Sequence, residues 1–241
     1  MQNPVIIKLE NLVKIYPTGE QKLVALKNIN LAFQKGEFSG VVGPSGSGKT
    51  TLLNIIGSLD VPTSGSAKVM GKAIETLSHK AAAELRNHHI GFIFQTFNLL
   101  PVYTVFENIE FPLLLLGMPA KERRRAVMEA LEWVHLTDKV NAKPNQLSGG
   151  QSQRVAVARA IVKKPDIILA DEPTANLDAE NSHNILRVME KLNAELGTTF
   201  IFSTHDEKVM HYLHRKISLV DGEVEGEERR TKNGQGKKET G

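Results

Sequence analysis

Residues 38–59 read FSGVVGPSGSGKTTLLNIIGSL, and this stretch decides the fold. Phe38–Val42 is a short apolar run that leads straight into Gly43-Pro44-Ser45-Gly46-Ser47-Gly48-Lys49-Thr50, a match to G-x-x-x-x-G-K-[ST]. Glycines there let consecutive backbone N–H groups turn inward around phosphate oxygens, where side chains would block them. Lys49 supplies a mobile positive charge for the β- and γ-phosphates, and the Thr50 hydroxyl is placed to coordinate Mg²⁺. Thr50–Leu59 has helical apolar spacing, and a helix starting at this point adds its positive end to the same site. A Gly/Ser linker could match the letters, but an apolar strand before it and an apolar helix after it argue against a linker. The unit is strand, phosphate loop, helix, and it predicts a bound nucleotide.

Upstream, Val5–Leu9 and Val24–Phe33 read as strands separated by a turn at Pro17-Thr18-Gly19. Downstream, from about Thr96 to Asn145, the character becomes helical. Lys121–Val134 places Val127, Ala130, Leu131 and Val134 at helical spacing, with Pro119 near the start. Ser152–Val162 is a further helix, opened by two glycines. Strands return at Asp166–Ala170 and Thr198–Ser203, around a helix carrying Ile185, Met189, Leu192 and Leu196 on one face. Lys216–Val220, Asp221-Gly222 and Glu223-Val224 form a two-residue hairpin signal. Strands alternating with helices predict a three-layer α/β core with antiparallel pieces at both ends.

Composition narrows the function. With 41% hydrophobic and 24% charged residues the 241-residue chain is of the globular class, and it has no cysteine for a disulfide, a thiolate metal site or a nucleophile. The longest apolar stretch, Phe111–Met118, is broken by Pro112 and falls far short of the ~18 residues a membrane crossing needs. The expectation is a soluble intracellular protein without a secretory signal. The net charge of +3 is concentrated at the end: residues 226–241 hold five basic and three acidic side chains, leaving 25 basic against 24 acidic elsewhere. Such a balance is no footprint for a phosphate backbone, so no nucleic acid is expected as a partner. Residues 226–241, rich in Gly, Lys, Glu and Thr, are expected to be a disordered charged tail.

Ile167-Ile168-Leu169-Ala170-Asp171-Glu172 is an apolar strand ending in two acids. Beside a phosphate loop, Asp171 is placed to orient Mg²⁺ and Glu172 to position or deprotonate the attacking water. Leu147-Ser148-Gly149-Gly150-Gln151 precedes a helix, and two readings stay open: an ordinary helix cap, or a hydroxyl and free N–H groups presented to an anion. His88, His89, His211 and His214 lack acidic or thiolate partners at ligand spacing and are not read as a metal site. Arg123-Arg124-Arg125 reads as a solvated helix face, and Leu113–Leu116 as core of the helical insert, with a partner-facing patch as the alternative for part of that run.

Together these motifs resemble the ATP-binding subunit of ABC transporters, over nearly the whole chain from about Val5 to Val224. The resemblance implies a three-layer P-loop NTPase (RecA-like) core over residues 1–95 and 160–225, with an N-terminal antiparallel β subdomain and an inserted α-helical signature subdomain over about 96–159. It makes Ser148-Gly149-Gly150-Gln151 the signature motif, Gln95 the glutamine that contacts the metal and the attacking water, and Tyr16 the aromatic that stacks on adenine. It adds Thr51 to the nucleotide contacts, Asp178 as the acid of the loop before the next helix, and His205 as the switch histidine near the γ-phosphate. ATP and Mg²⁺ are the implied cofactors. A single chain leaves the phosphates open on one side, and the resemblance implies that Ser148–Gln151 of a second copy close it in a head-to-tail dimer. It further implies integral-membrane permease subunits docking near Gln95 and the helical insert, an adaptor beyond the membrane reached through the permease, and a place on the cytoplasmic face of the plasma membrane. Pro173–Asp178, Glu107-Asn108-Ile109 and Thr204-His205-Asp206 resemble the branch serving lipoprotein release and MacB-type export. Ser152 departs from the glutamine more usual after the signature, and Asn176 is a second departure. An ABC-type ATPase acting on DNA or ribosomes is the alternative. It would carry a long coiled coil or a second ATPase unit, whereas 99 positions without sustained heptads separate Lys49 from Ser148. A small-molecule kinase would have no use for the signature or His205.

Overall fold

The chain opens with two long strands, β1 (Val5–Thr18) and β2 (Gln21–Gln34), paired antiparallel as far as Thr18 opposite Gln21, so that Pro17 and Thr18, read from the sequence as turn residues, belong to the ladder. The structure, a computed structural model, describes residues 3–19, 21–230 and 236–239. β3 (Phe38–Val42) then enters a second sheet and delivers the phosphate loop to α1 (Lys49–Ile56). β4 (Ser64–Val69) and β5 (Lys72–Ala73) return to the first sheet, whose order is β2-β1-β4-β5.

After α2 (His79–His89) the second sheet is built from β6 (Ile90–Ile93), β7 (Ile167–Asp171), β8 (Thr199–Thr204) and β9 (Arg215–Val220), all parallel to β3 in the order β9-β3-β8-β7-β6. Crossovers on one face supply α3 (Val105–Leu115), α4 (Ala120–Trp133), α5 (Gly149–Ile161) and α6 (Ala179–Leu196); the single turn α7 (Glu207–Met210) leads into β9.

Strand side chains alternate between two cores, as the two-residue period of a strand requires. Ile168, Ala170, Phe200 and Phe202 face the core built with α3–α6. Ile167, Leu169 and Ile201 face the core shared with α1 and the antiparallel sheet. This is the predicted three-layer α/β architecture. α4 and the sheet share one core, and α5 runs through the boundary expected at residue 159.

The chain's end departs from expectation. Gly226–Arg230, read as the start of a disordered tail, continue β10 (Glu223–Arg230), which pairs antiparallel with β9. The cause is Arg215 on β9, almost fully buried, whose guanidinium bonds Glu37 at 2.9 Å and Glu227 at 2.7 Å. A buried guanidinium needs such counter-charges, so a segment that looks solvated by composition is held in place. Arg230 adds Nη1–H to the His211 carbonyl at 2.7 Å. β11 (Gly236–Glu239) extends the same edge, and residues 231–235, 240 and 241 of the expected tail lie outside the described residues.

Candidate functional site

The phosphate loop is shaped by what presses on it. A Cβ on Gly48 would lie 2.5 Å from the Ala25 carbonyl oxygen of β2, and one on Gly43 2.0 Å from that of Leu219 in β9. Only glycine lets both strands approach so closely. The Asp221-Gly222 turn braces the loop further: Gly222 donates its N–H to the Ser47 carbonyl at 3.1 Å and accepts from the Lys27 N–H at 2.7 Å.

Helices α2, α3, α5 and α6 each begin with a side chain (Ser78, Thr104, Ser148, Asp178) that accepts a first-turn N–H, whereas α1 has no such cap. Its first N–H groups stay available to an anion, backed by the helix dipole. Lys49, 6% exposed, donates to the carbonyl oxygens of Gly43 and Pro44, both at 2.8 Å. An ammonium has three donors, so one remains for an oxygen in the cavity.

That cavity, about 730 Å³, is lined by Ser45, Gly46, Gly48, Lys49, Thr50 and Thr51 of the loop, and by Tyr16, Gln95, Asp171, Glu172 and His205. Residues from five separate parts of the sequence thus meet in one place. Gly43, Pro44 and Ser47 complete the loop without lining the cavity.

Thr50 Oγ1 lies 3.0 and 3.2 Å from the two carboxylate oxygens of Asp171. A hydroxyl, a carboxylate and the nearby Gln95 amide form an all-oxygen donor set, which suits a hard divalent cation such as Mg²⁺. Glu172, one residue on, adopts a left-handed backbone (φ 44°) and donates its N–H to the Ser203 carbonyl at 2.9 Å. Its largely buried carboxylate accepts from Thr204 Oγ1 at 3.1 Å and stands 2.6 Å from His205 Nδ1. Against an ionised carboxylate, which can only accept, Nδ1 would carry the proton and Nε2 would be the nitrogen left for other partners.

Tyr16 is fixed by a group the sequence reading missed. Its hydroxyl donates to Asp60 at 2.6 Å, and Lys14, also bonded to Asp60 at 2.6 Å, lies 4.7 Å from the centre of its ring. Burial, aided by the Asp60 bond, pushes the Tyr16 hydroxyl up from its ordinary value. Burial also raises the Asp60 carboxyl, but the bonds from Lys14 and Tyr16 outweigh it and hold the group below the usual range.

The signature segment and Asp178 lie outside the cavity. Ser148 caps α5 in a reciprocal pair with Gln151: its hydroxyl accepts the Gln151 N–H at 3.2 Å, and its own N–H donates to the Gln151 side chain at 2.9 Å. The cap reading is therefore realised, while Ser148 and Gly149 remain exposed. A Cβ on Gly150 would lie 2.5 Å from the Asn181 side-chain oxygen, and the Asn181 amide donates to Asp178 at 2.7 Å. The signature and Asp178 are thus parts of one surface. Asn181 also holds the Asp178 carboxyl below its ordinary value, first through its backbone N–H.

Asn176, a departure from the family pattern, donates to the Gln95 carbonyl at 2.8 Å, a role no local signal announced. The histidines take ordinary partners: His88 and His211 bond helix carbonyls, and His89 bonds Asp166 at 2.8 Å. Arg123 is paired with Glu110 at 2.8 Å.

A glycine-shaped anion loop, a hydroxyl–carboxylate cation wall and a carboxylate held by a histidine define a P-loop nucleoside triphosphatase. Residues 26–175 match the family model described as ABC transporter. The chain is 45% identical to the lipoprotein-releasing system ATP-binding protein LolD of Pseudoalteromonas translucida, over 92% of this chain and 96% of that one. It is 42% identical to the macrolide export ATP-binding/permease protein MacB 2 of Yersinia pestis, over 92% of this chain and 33% of that one. Among solved structures it resembles the dimeric post-hydrolysis cassette MJ0796 of Methanocaldococcus jannaschii bound to ADP and Pi. The match has 47% identity and TM-score 0.86, covering 92% of this chain and 98% of that chain. The chain belongs to the ABC transporter family, as an ATP-binding cassette that hydrolyses ATP.

Proposed function

We propose that two copies of this chain close head to tail around two ATP molecules, and that the cycle of closure and release drives export or lipoprotein release through separate permease subunits. The observation that carries the reading is the separation within one chain. The cavity gathers Lys49, Thr50, Asp171, Glu172, Gln95 and His205, while the exposed Ser148-Gly149 corner and Asp178 lie outside it. Ser148, Gly149, Gly150 and Gln151 of the second copy then supply donors on the open side of the phosphates. The related MJ0796 cassette, solved as a dimer, supports this.

In this mechanism Lys49 and the α1 N–H groups hold the phosphates, and Tyr16 stacks on adenine. Thr50, Asp171 and Gln95 hold Mg²⁺, which neutralises charge on the phosphates when bound. Glu172 takes a proton from the water that attacks the γ-phosphorus, as the bond to the ADP oxygen breaks. Thr204 and His205 fix the direction of that carboxylate, and His205 Nε2 reaches the γ-phosphate. Because the γ-phosphate contacts both copies, its loss removes the interaction that favours the closed dimer.

No helix among the described residues is long and apolar enough to cross a membrane, and in this reading the crossing is made by a permease. It docks, on the cytoplasmic face of the membrane, in an apolar groove of about 410 Å³ between Phe92, Phe94, Leu100, Phe111 and Leu115. An adaptor beyond the membrane is reached through it. The LolD and MacB relatives support this branch.

The test is complementation between two inactive variants, Lys49→Ala and Ser148→Arg. A mixed dimer contains one site with an intact loop and an intact partner signature. Random pairing should therefore recover about a quarter of wild-type ATPase sites, because a head-to-tail interface draws each site from both copies. A mixture no more active than the separate variants would refute the shared site.

A further inference from the structure

We propose that Arg159, in the helix that begins at the signature, is a positioning residue that fixes loop 94–98 and thereby sets where Gln95 sits in the nucleotide cavity. Its guanidinium reaches across 61 positions to donate Nη1–H to the Asn98 carbonyl at 2.6 Å and reaches the Phe97 carbonyl from Nη2 at 2.7 Å. The two residues it grips are both non-glycine and left-handed, Phe97 at φ 59° and Asn98 at φ 49°. Two such residues in succession are unfavourable and persist only where the surroundings over-determine them.

The loop's own bonds are short-range: Asn98 N–H to the Thr96 carbonyl at 2.6 Å, and the Thr96 hydroxyl to the Asn98 side chain at 2.8 Å. They set a local turn without fixing it against the rest of the molecule. Among the described residues, the side-chain bonds from other elements to the backbone of 95–98 are those of Arg159 and of Asn176, which holds the Gln95 carbonyl. Arg159 has no carboxylate partner among the described residues, and burial pulls its guanidinium below the ordinary value, so its charge is oriented by the loop carbonyls.

Arg159 also lines the apolar groove with Phe94, Asn98 and Leu100, while Gln95 lines the nucleotide cavity. A group entering the groove therefore touches the support of Gln95 directly. This inference rests on the reading that Gln95 serves the metal and the attacking water.

The experiment is a double-mutant cycle on the full chain with Arg159→Lys, Gln95→Ala and the pair, measuring ATPase kcat, the Mg²⁺ concentration for half-maximal rate, and Tm. Lysine keeps the charge but cannot span two carbonyls with a planar fork. Arg159→Lys should lower kcat about tenfold and raise the Mg²⁺ requirement, and it should have almost no further effect once Gln95 is alanine, because the two act as one unit. Loss of Tm by Arg159→Lys, in contrast, should be equal in both backgrounds. Should the lysine variant fail to fold, Arg159→Gln, which keeps one donor group, completes the same cycle. Equal fractional slowing by Arg159→Lys with and without Gln95, or unchanged kcat and Mg²⁺ dependence, would overturn the proposal. Normal turnover by Gln95→Ala alone would instead remove the role of Gln95 on which it stands.

Discussion

Replacing Glu172 by glutamine isolates the proposed chemical step from binding. Glutamine has the size of glutamate and the same left-handed backbone to adopt, and it can still accept from Thr204 or His205, which bond the native carboxylate at 3.1 and 2.6 Å. Folding and the loop geometry should therefore change little. What disappears is the ability to take a proton. A positioned general base contributes about 10²- to 10⁴-fold. The upper part of that range applies here, because the other carboxylate at this wall, Asp171, is committed to Thr50. A loss of about 10³- to 10⁴-fold in kcat corresponds to about 4–5 kcal/mol of barrier. ATP affinity should be retained or tightened, since a negative charge next to the γ-phosphate has gone. Phosphate release under steady-state conditions measures the first effect, and equilibrium dialysis with size-exclusion chromatography measures binding and dimer accumulation. Turnover within tenfold of wild type would refute the assignment of Glu172 as the base.

Two further substitutions test the frame around the site. Gly48→Ala puts a Cβ 2.5 Å from the Ala25 carbonyl at φ 101°, so the loop must shift; ATP binding should fall at least tenfold in a titration, while the far-UV circular dichroism of the sheets is kept. Glu227→Gln removes one of the two carboxylates on Arg215, and urea unfolding should show a loss of about 1–2 kcal/mol, below that of a fully buried pair because Glu37 remains. The Glu227 carboxyl sits below its ordinary value: burial raises it, but the Arg215 and Arg229 guanidinia outweigh that. The stability difference should accordingly be complete above the ordinary value of 4.5 and close as pH falls through the lower folded value; a gap that persists in acid would contradict the ion-pair account.

What could be read from the sequence was whatever depends on neighbours along the chain. The strand–loop–helix at 38–59, the acids ending β7 and the Asp221-Gly222 hairpin are local patterns, and all three appear as expected. α3 was hidden by Pro112 within it and by apolar residues around most of its surface, although the Thr104/Glu107 capping box was available as a start signal. α2 was missed because it buries only Leu85 fully, and β4 because Ser64-Gly65-Ser66 is a poor strand former. Asp60, Asn176 and Arg159 carry no local signature at all. Each acts on a residue 44 to 81 positions away, so its role exists only after folding. The ordered start of the tail was missed for the same reason, since Glu227 is needed by Arg215 rather than by its own neighbours.

The left-handed backbone at Glu172 has an evolutionary consequence. Glycine would occupy that conformation without the penalty, about 1 kcal/mol or more, that a side chain incurs there. Under selection for heat resistance alone, that relief is weighed only against the bonds from Thr204 and His205 and the freedom glycine adds to the unfolded chain, and where relief wins the survivors no longer consume fuel. Any campaign to toughen this cassette has to screen turnover alongside melting, or its first winner will be an engine without ignition.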